Sequence, residues 1–232
     1  MSAFFFDPPP TVAVPIVGRV EKFPIHRIFC VGPNYEEHAK EMGIELDRTA
    51  PFWFTKAASC YVPSGTTVRY PPGTQNYQHE IEFVAAIGKA GFRIERPDAL
   101  THVFGYACGL DMSRRDLHLQ ARELRRPWAF GKDFEQAAVL SDIVPASICG
   151  HPTSGRIVLR VNGVTRQSSD LSLLIHPVAA LIAHLSQFYH LEAGDIIYSG
   201  TPEGVEAVVP GDRIEGEIDG VSSIALTVGT AE

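Results

Sequence analysis

The sequence predicts a β-rich α+β fold, and three observations carry that expectation. Twenty glycines and 17 prolines are spread along the whole 232-residue chain, punctuation that suits short strands and turns better than a helical bundle. Most apolar segments are strand-sized, and only three stretches space their apolar residues as a helix does. The segments do not alternate in a βαβ rhythm, and no G-x-G-x-x-G or phosphate-loop pattern occurs, which argues against a doubly wound nucleotide-binding sheet.

In chain order, residues 1–22 read as an extended lead-in bearing Pro8-Pro9-Pro10 and Pro15, packed along the surface, and residues 23–232 as one domain. Residues 27–31 read as a strand and 35–42 as a short helix with Asn34 as its N-cap. Residues 51–56 form an aromatic strand; 68–72, 80–88 and 103–111 are further apolar strands. Residues 116–125 read as helix, capped by Asp116. Residues 157–164 are a hairpin turning on Asn162-Gly163. Within 172–190, Leu174, Ile175, Val178, Leu181, Ile182, Leu185 and Phe188 recur at helical spacing, with Pro177 in the first turn. Residues 196–198 and 213–228 return to strands, the latter turning at Asp219-Gly220.

Composition narrows the function classes. Hydrophobic residues at 45% and charged residues at 20% argue against disorder. A net charge of −7 with no basic run is a poor match to nucleic acid or an anionic membrane, though it leaves small anions open. No apolar run approaches the ~20 residues of a membrane helix. The first eighteen residues lack Lys and Arg, so Phe4-Phe5-Phe6 is not expected to be a secretory signal. Cys30, Cys60, Cys108 and Cys149 form no CxxC pair, which points to neither a zinc site nor a disulfide frame, and the expected address is the cytoplasm.

The chemistry concentrates in three places. Glu80 and Glu82 lie two apart at the head of an apolar run and so share one strand face. Two carboxylates in a low-dielectric site repel each other unless a divalent cation joins them; the alternative is an edge strand with both in water. Asp111 ends the apolar run 103–110, at a strand's mouth, where a plain turn is the alternative. All-oxygen ligands of this kind suit Mg²⁺, Mn²⁺ or Ca²⁺ rather than zinc. His38 and Glu41 are three apart on one helix face, where a carboxylate can orient an imidazole as a base for water, or simply share a solvated surface. Lys56 and Lys132 each follow an aromatic run, Arg115 lies near Asp111, and Ser199-Gly200-Thr201-Pro202 is a glycine-bearing turn after a strand.

In this order and at these intervals the segments resemble the fumarylacetoacetate hydrolase family. The markers are Gly32-Pro33-Asn34-Tyr35 with His38 and Glu41, Phe54-Thr55-Lys56, His79-Glu80-Ile81-Glu82, Leu110-Asp111-Met112-Ser113-Arg114-Arg115-Asp116, Arg126-Pro127-Trp128 with Lys132, Val161-Asn162-Gly163 with Gln167, and Ser199-Gly200-Thr201-Pro202. Within the family the chain is similar to the fumarylpyruvate hydrolases and acylpyruvases. The resemblance implies a mixed β-sandwich or β-roll, a homodimer, and a single catalytic domain over 23–232. It implies Mg²⁺ or Mn²⁺ held by Glu80, Glu82 and Asp111, water activated by His38 with Glu41, and Lys132 beside the substrate oxygens. Arg115, Thr201, Lys56 and Gln167 are the implied substrate contacts. The implied reaction is hydrolysis of an acylpyruvate C–C bond, fumarylpyruvate giving fumarate and pyruvate in aromatic (gentisate) breakdown. The alternatives are oxaloacetate decarboxylation, a keto-dienoate hydratase or isomerase, and a keto-acid binder without turnover. The chain departs from the family pattern at Pro33, Ala57, His118 and Glu206, which bears on the substrate rather than on the metal.

Overall fold

Apolar, β-branched and aromatic runs bounded by Gly and Pro become strands, and these pair into two main sheets around one core. The structure, a computed structural model, describes residues 4–45 and 48–231. Met1 to Ala3 of the expected lead-in, and Leu46, Asp47 and Glu232 of the expected domain, lie outside the described residues.

The larger sheet has eight strands. Its path runs Trp53–Lys56, Ile28–Val31, Ile196–Tyr198, Ile81–Ile87, Val103–Asp111, Ala138–Leu140, Tyr61–Pro63, and Val144–Pro145 pairs beside it with Val103–Asp111. The central pair, Ile81–Ile87 and Val103–Asp111, is antiparallel with Ile81 opposite Leu110 and Glu82 opposite Gly109. The second sheet orders Val164–Asp170, Arg156–Val161, Arg213–Ile218, Ser222–Ala231 and Thr67–Tyr70. Ile157, Leu159, Ile214, Ile224 and Leu226 of this sheet share one buried cluster with Ile81, Phe83 and Leu110 of the first. Ser222 reaches across, its hydroxyl accepting from the Cys108 amide at 3.0 Å. These sheets with few helices are the β-rich α+β, sandwich-like fold that the sequence predicts. Among the described residues no helix is long and apolar enough to cross a membrane.

Five short α-helices lie at the sheet ends: α1 (Glu36–Glu41), α2 (Arg115–Glu123), α3 (Ala129–Lys132), α4 (Ala146–Cys149) and α5 (Val178–Leu185). Near the N-terminus, Ala13–Pro15 pairs with Lys22–Pro24 and buries Val14 and Phe23, while Phe4, Phe5 and Phe6 are exposed. The hairpin at Asn162-Gly163 forms as expected, with both residues at positive φ.

Three local expectations change. Asn34 does not cap α1; Tyr35 occupies that position. The Asn34 amide is fully buried and closes a gap between chain segments, donating to the carbonyls of His176 (2.9 Å) and Ser199 (2.8 Å) and accepting from the His176 amide (2.8 Å). Asp116 sits inside the first turn of α2 and accepts from the Gln75 amide at 2.9 Å, so it anchors a loop as well as its own helix. The helix expected within 172–190, with Pro177 in its first turn, is α5, and Pro177 stands one place earlier than expected, as the extended N-cap. Leu171–Leu173 form a separate 3₁₀ turn that ends at Leu174, the proline disfavours a helical His176, and Phe188 is left exposed.

Candidate active site and metal centre

Strand alternation assembles the acidic cluster. Glu80 and Glu82 point to the same face, and the Asp111 amide donates to the Glu80 carbonyl at 2.9 Å, setting Asp111 directly across from Glu80. Each of the three acids is buried, and each offers a carboxylate oxygen within 4.8 Å of the others. Three cationic side chains face them. Lys132 Nζ donates to Glu80 Oε2 at 2.6 Å and to Asp111 Oδ2 at 2.9 Å. Arg115 pairs with Glu80 Oε1. Lys56 Nζ lies 2.8 Å from Asp111 Oδ1.

These neighbours divide the acids electrostatically. Burial opposes the charge on Glu80, but Lys132 and Arg115 outweigh it and hold the carboxyl below its usual range. Burial, with Asp111 and Glu80 adding like charge, pushes Glu82 well above its usual value, and the Gly200 amide donating at 2.6 Å only partly offsets this. Burial works against the Lys132 ammonium too, and Asp111 and Glu80 more than restore it. Asp111 Oδ1 receives no hydrogen bond in spite of its near ammonium, which lies off the hydrogen-bond direction. Crowded buried carboxylates with an oxygen still unbonded fit a hard divalent cation, which would relieve the repulsion at Glu82 and take up that oxygen.

The candidate base lies on the same cavity. His38, on α1, is buried; its Nδ1 is 3.1 Å from Glu41 Oε2. The ionised Glu41 can only accept, so Nδ1 carries a proton, and in the neutral ring it is Nε2 that holds the lone pair. Burial disfavours the Glu41 charge, but His38 and the Gly204 amide, donating to Oε1 at 3.1 Å, hold its carboxyl below the usual range. A cavity of ≈350 Å³, open to solvent, is lined by His38, Glu80, Glu82, Arg115, Lys132 and Thr201, with Pro33, Phe54, His118 and Trp128 among its walls.

Thr201 is set by a relay from the strand that carries Glu82. The Ile81 amide donates to Gln167 Oε1 at 3.1 Å, and Gln167 Nε2 donates to Thr201 Oγ1 and the Pro202 carbonyl, each at 2.8 Å. The Thr201 oxygen accepts from Gln167, which leaves its own hydrogen free to donate into the cavity.

The structure therefore brings eight of the ten sequence-predicted site residues to one cavity or its immediate support: Glu80, Glu82, Asp111, His38, Glu41, Lys132, Arg115 and Thr201. The other two lie elsewhere. Lys56 is fully buried behind Asp111 and donates to the carbonyls of Met112 (3.2 Å) and Lys132, away from the cavity lining. Its strand turns it inward, where it meets the acid first. Gln167 is buried beneath Thr201 and acts through it. Two contributors have only weak sequence signals. Gly200, at φ +95, offers its amide to Glu82; the sequence signal was a glycine-bearing turn after a strand, whose amides can hold a carboxylate. His118 is one of the chain's departures from the family pattern. Its ring packs on Trp128 at 4.2 Å, and burial, then Lys132 and Arg115, push its pKa down to about 2.

Comparison with known proteins agrees with this geometry. Residues 27–229 match the family described as fumarylacetoacetate (FAA) hydrolase C-terminal. A fumarylpyruvate hydrolase of Ralstonia sp is 52% identical over 193 residues, covering 82% of this chain and all of that relative. A mitochondrial oxaloacetate tautomerase of Mus musculus is 37% identical, covering 88% of this chain and 92% of that relative. The crystal structure of fumarylpyruvate hydrolase from Pseudomonas aeruginosa in complex with Mn²⁺ and pyruvate superposes with a TM-score of 0.95 at 46% identity, covering 98% of this chain and all of that one.

Proposed function

The chain belongs to the fumarylacetoacetate hydrolase family, and from that premise we propose that it is a divalent-metal-dependent hydrolase cleaving the C–C bond of an acylpyruvate, with fumarylpyruvate and water giving fumarate and pyruvate. One observation carries this reading: a buried Glu80–Glu82–Asp111 triad and an ordered His38–Glu41 pair border the same cavity. The Ralstonia relative and the Pseudomonas structure with Mn²⁺ and pyruvate support it.

Glu80, Glu82 and Asp111 would hold Mg²⁺ or Mn²⁺. When bound, the ion supplies Lewis acidity toward the oxygens of a keto acid. His38 Nε2, its ring fixed by Glu41, takes a proton from the water that attacks the acyl carbonyl. Lys132 faces the negative charge that develops on oxygen. As the bond between the acyl carbon and the adjacent methylene breaks, the three-carbon fragment leaves as an enolate and then takes a proton at carbon. Arg115 and the Thr201 hydroxyl hold the keto-acid end. We read 23–232 as one catalytic domain after an N-terminal lead-in, working as a cytoplasmic homodimer in aromatic breakdown.

The test is turnover of fumarylpyruvate, acetylpyruvate and oxaloacetate by the Mg²⁺- or Mn²⁺-loaded protein. Hydrolysis of the first two, lost on chelation, is the expected result. His38→Ala should lower kcat about a hundredfold or more, with Mn²⁺ affinity by calorimetry within threefold of wild type. Turnover of oxaloacetate alone would replace the hydrolase reading with a tautomerase or decarboxylase. Binding of oxalate with no turnover of any keto acid would leave a binding protein.

A further inference from the structure

The cavity does not stop at the metal ligands. Past Pro33, Ile44 and Trp128, which wall both spaces, an outer recess of ≈620 Å³ is lined by Arg122 and Glu45. Arg115, His118 and Arg122 fall three and four residues apart on α2 and share one helix face. The face that brings Arg115 to Glu80 therefore carries a second guanidinium about 10 Å farther along the helix axis. The Arg122 side chain makes no hydrogen bond or ion pair with a described residue, and neither does Glu45.

His118 stands between the two arginines and is only 4% exposed. Its Nδ1 lies 3.1 Å from Arg115 Nη1. A guanidinium can only donate, so Nδ1 is the acceptor and the ring's proton sits on Nε2. That buried Nε2–H finds no acceptor among the described residues. A buried donor without a partner is costly, and the ring borders the cavity. The missing acceptor is one that a ligand would bring.

We propose that His118 and Arg122 form a second anion subsite on α2, binding a carboxylate at the far end of the substrate's acyl group. The inference rests on the acylpyruvate reading above. It gives the substrate two anionic ends: a keto-acid end at the metal ligands, Arg115 and Thr201, and a far carboxylate that accepts from His118 Nε2–H and the Arg122 fork. An acyl chain ending in methyl would bring neither an acceptor for the imidazole donor nor a charge for the guanidinium. Glu45 repels an anion lodged on its own side of the recess, which leaves the α2 side to receive it. The subsite makes the enzyme selective for acyl groups that end in a carboxylate.

The test compares fumarylpyruvate with acetylpyruvate, which keeps the keto-acid end and replaces the far carboxylate with a methyl group. With the Mn²⁺-loaded protein, Arg122→Met and His118→Phe should each cut the kcat/KM ratio of fumarylpyruvate over acetylpyruvate at least tenfold, chiefly through KM. Arg122 lies half-exposed near the end of α2, so Arg122→Met spares the core even if His118→Phe unfolds the protein. Calorimetric affinity for fumarate should fall at least fivefold in Arg122→Met. A ratio and a fumarate affinity both unchanged in Arg122→Met overturn the subsite. If the wild type turned over neither substrate, the acylpyruvate reading would fall and the fumarate titration alone would decide: weakening by Arg122→Met keeps the subsite, and indifference removes it.

Discussion

His118 is a neutral imidazole wedged between cations, and its protonation is tied to stability. Burial, with Lys132 and Arg115 nearby, pushes its pKa to about 2 in the folded protein. Between that value and the ordinary ~6.5, the unfolded chain binds a proton that the native one refuses, so stability falls as pH falls through this window. In metal-free protein, urea melts from pH 7 to pH 5 should cost the wild type roughly 2 kcal/mol more than His118→Gln; equal losses would mean that the native ring is already charged. Lys56 makes a different prediction. It backs Asp111 from the buried side, and removing it strands a buried acid with one fewer counter-ion. Lys56→Met should destabilise the fold by roughly 3 kcal/mol while leaving KM within about twofold; a KM rise without loss of stability would return Lys56 to the substrate. At this scale the shared face of Glu80 and Glu82 was legible from two-residue alternation, while the place of Asp111 beside them came from the family resemblance. Lys56 and Gln167 were not legible, because alternation says which way a side chain turns and not what it meets first.

Among the elements, α1 is the mobile candidate. It has six residues, too few to be stable alone. It is held by Asn34, by the Gly204 amide on Glu41, and by the Ile175 amide donating to the Asn34 carbonyl at 2.9 Å. Few bonds and a short helix imply a low local opening energy. Hydrogen exchange over residues 34–42 should slow at least fivefold when oxalate and Mn²⁺ are added; identical protection in both states would show that α1 is no lid. α3 depends on a close approach. A Cβ on Gly131 would lie 2.8 Å from the backbone of His118, so only glycine lets α3 rest on α2 with Lys132 next to it. Helices α1, α2 and α5 were readable from the sequence, but their ends were not, and the one-turn helices α3 and α4 were not read at all. Asn34 looked like a cap and proved to be a clamp between segments 142 and 165 residues away, a partnership with no local signal.

For the whole molecule, strand-sized segments and hairpin turns were visible in the sequence, but sheet order was not. Ile196–Tyr198 inserts between Ile28–Val31 and Ile81–Ile87, parallel to the first and antiparallel to the second. Nothing in any of the three segments encodes that choice alone; it follows from how the whole core closes. The insertion has a consequence. It delivers the turn that follows to the middle of the site, where Gly200 bonds Glu82, Thr201 faces the cavity and Gly204 bonds Glu41. A Cβ on Gly204 would fall 2.0 Å from the Arg166 carbonyl, so the turn sits hard against the second sheet and has little room to yield. One stiff piece of backbone thus grips Glu82 with one hand and Glu41 with the other. Thermodynamic reciprocity then constrains the proposed site: whatever factor binding of an ion at Glu82 would add to the closure of α1, closure of α1 would return to the affinity for that ion.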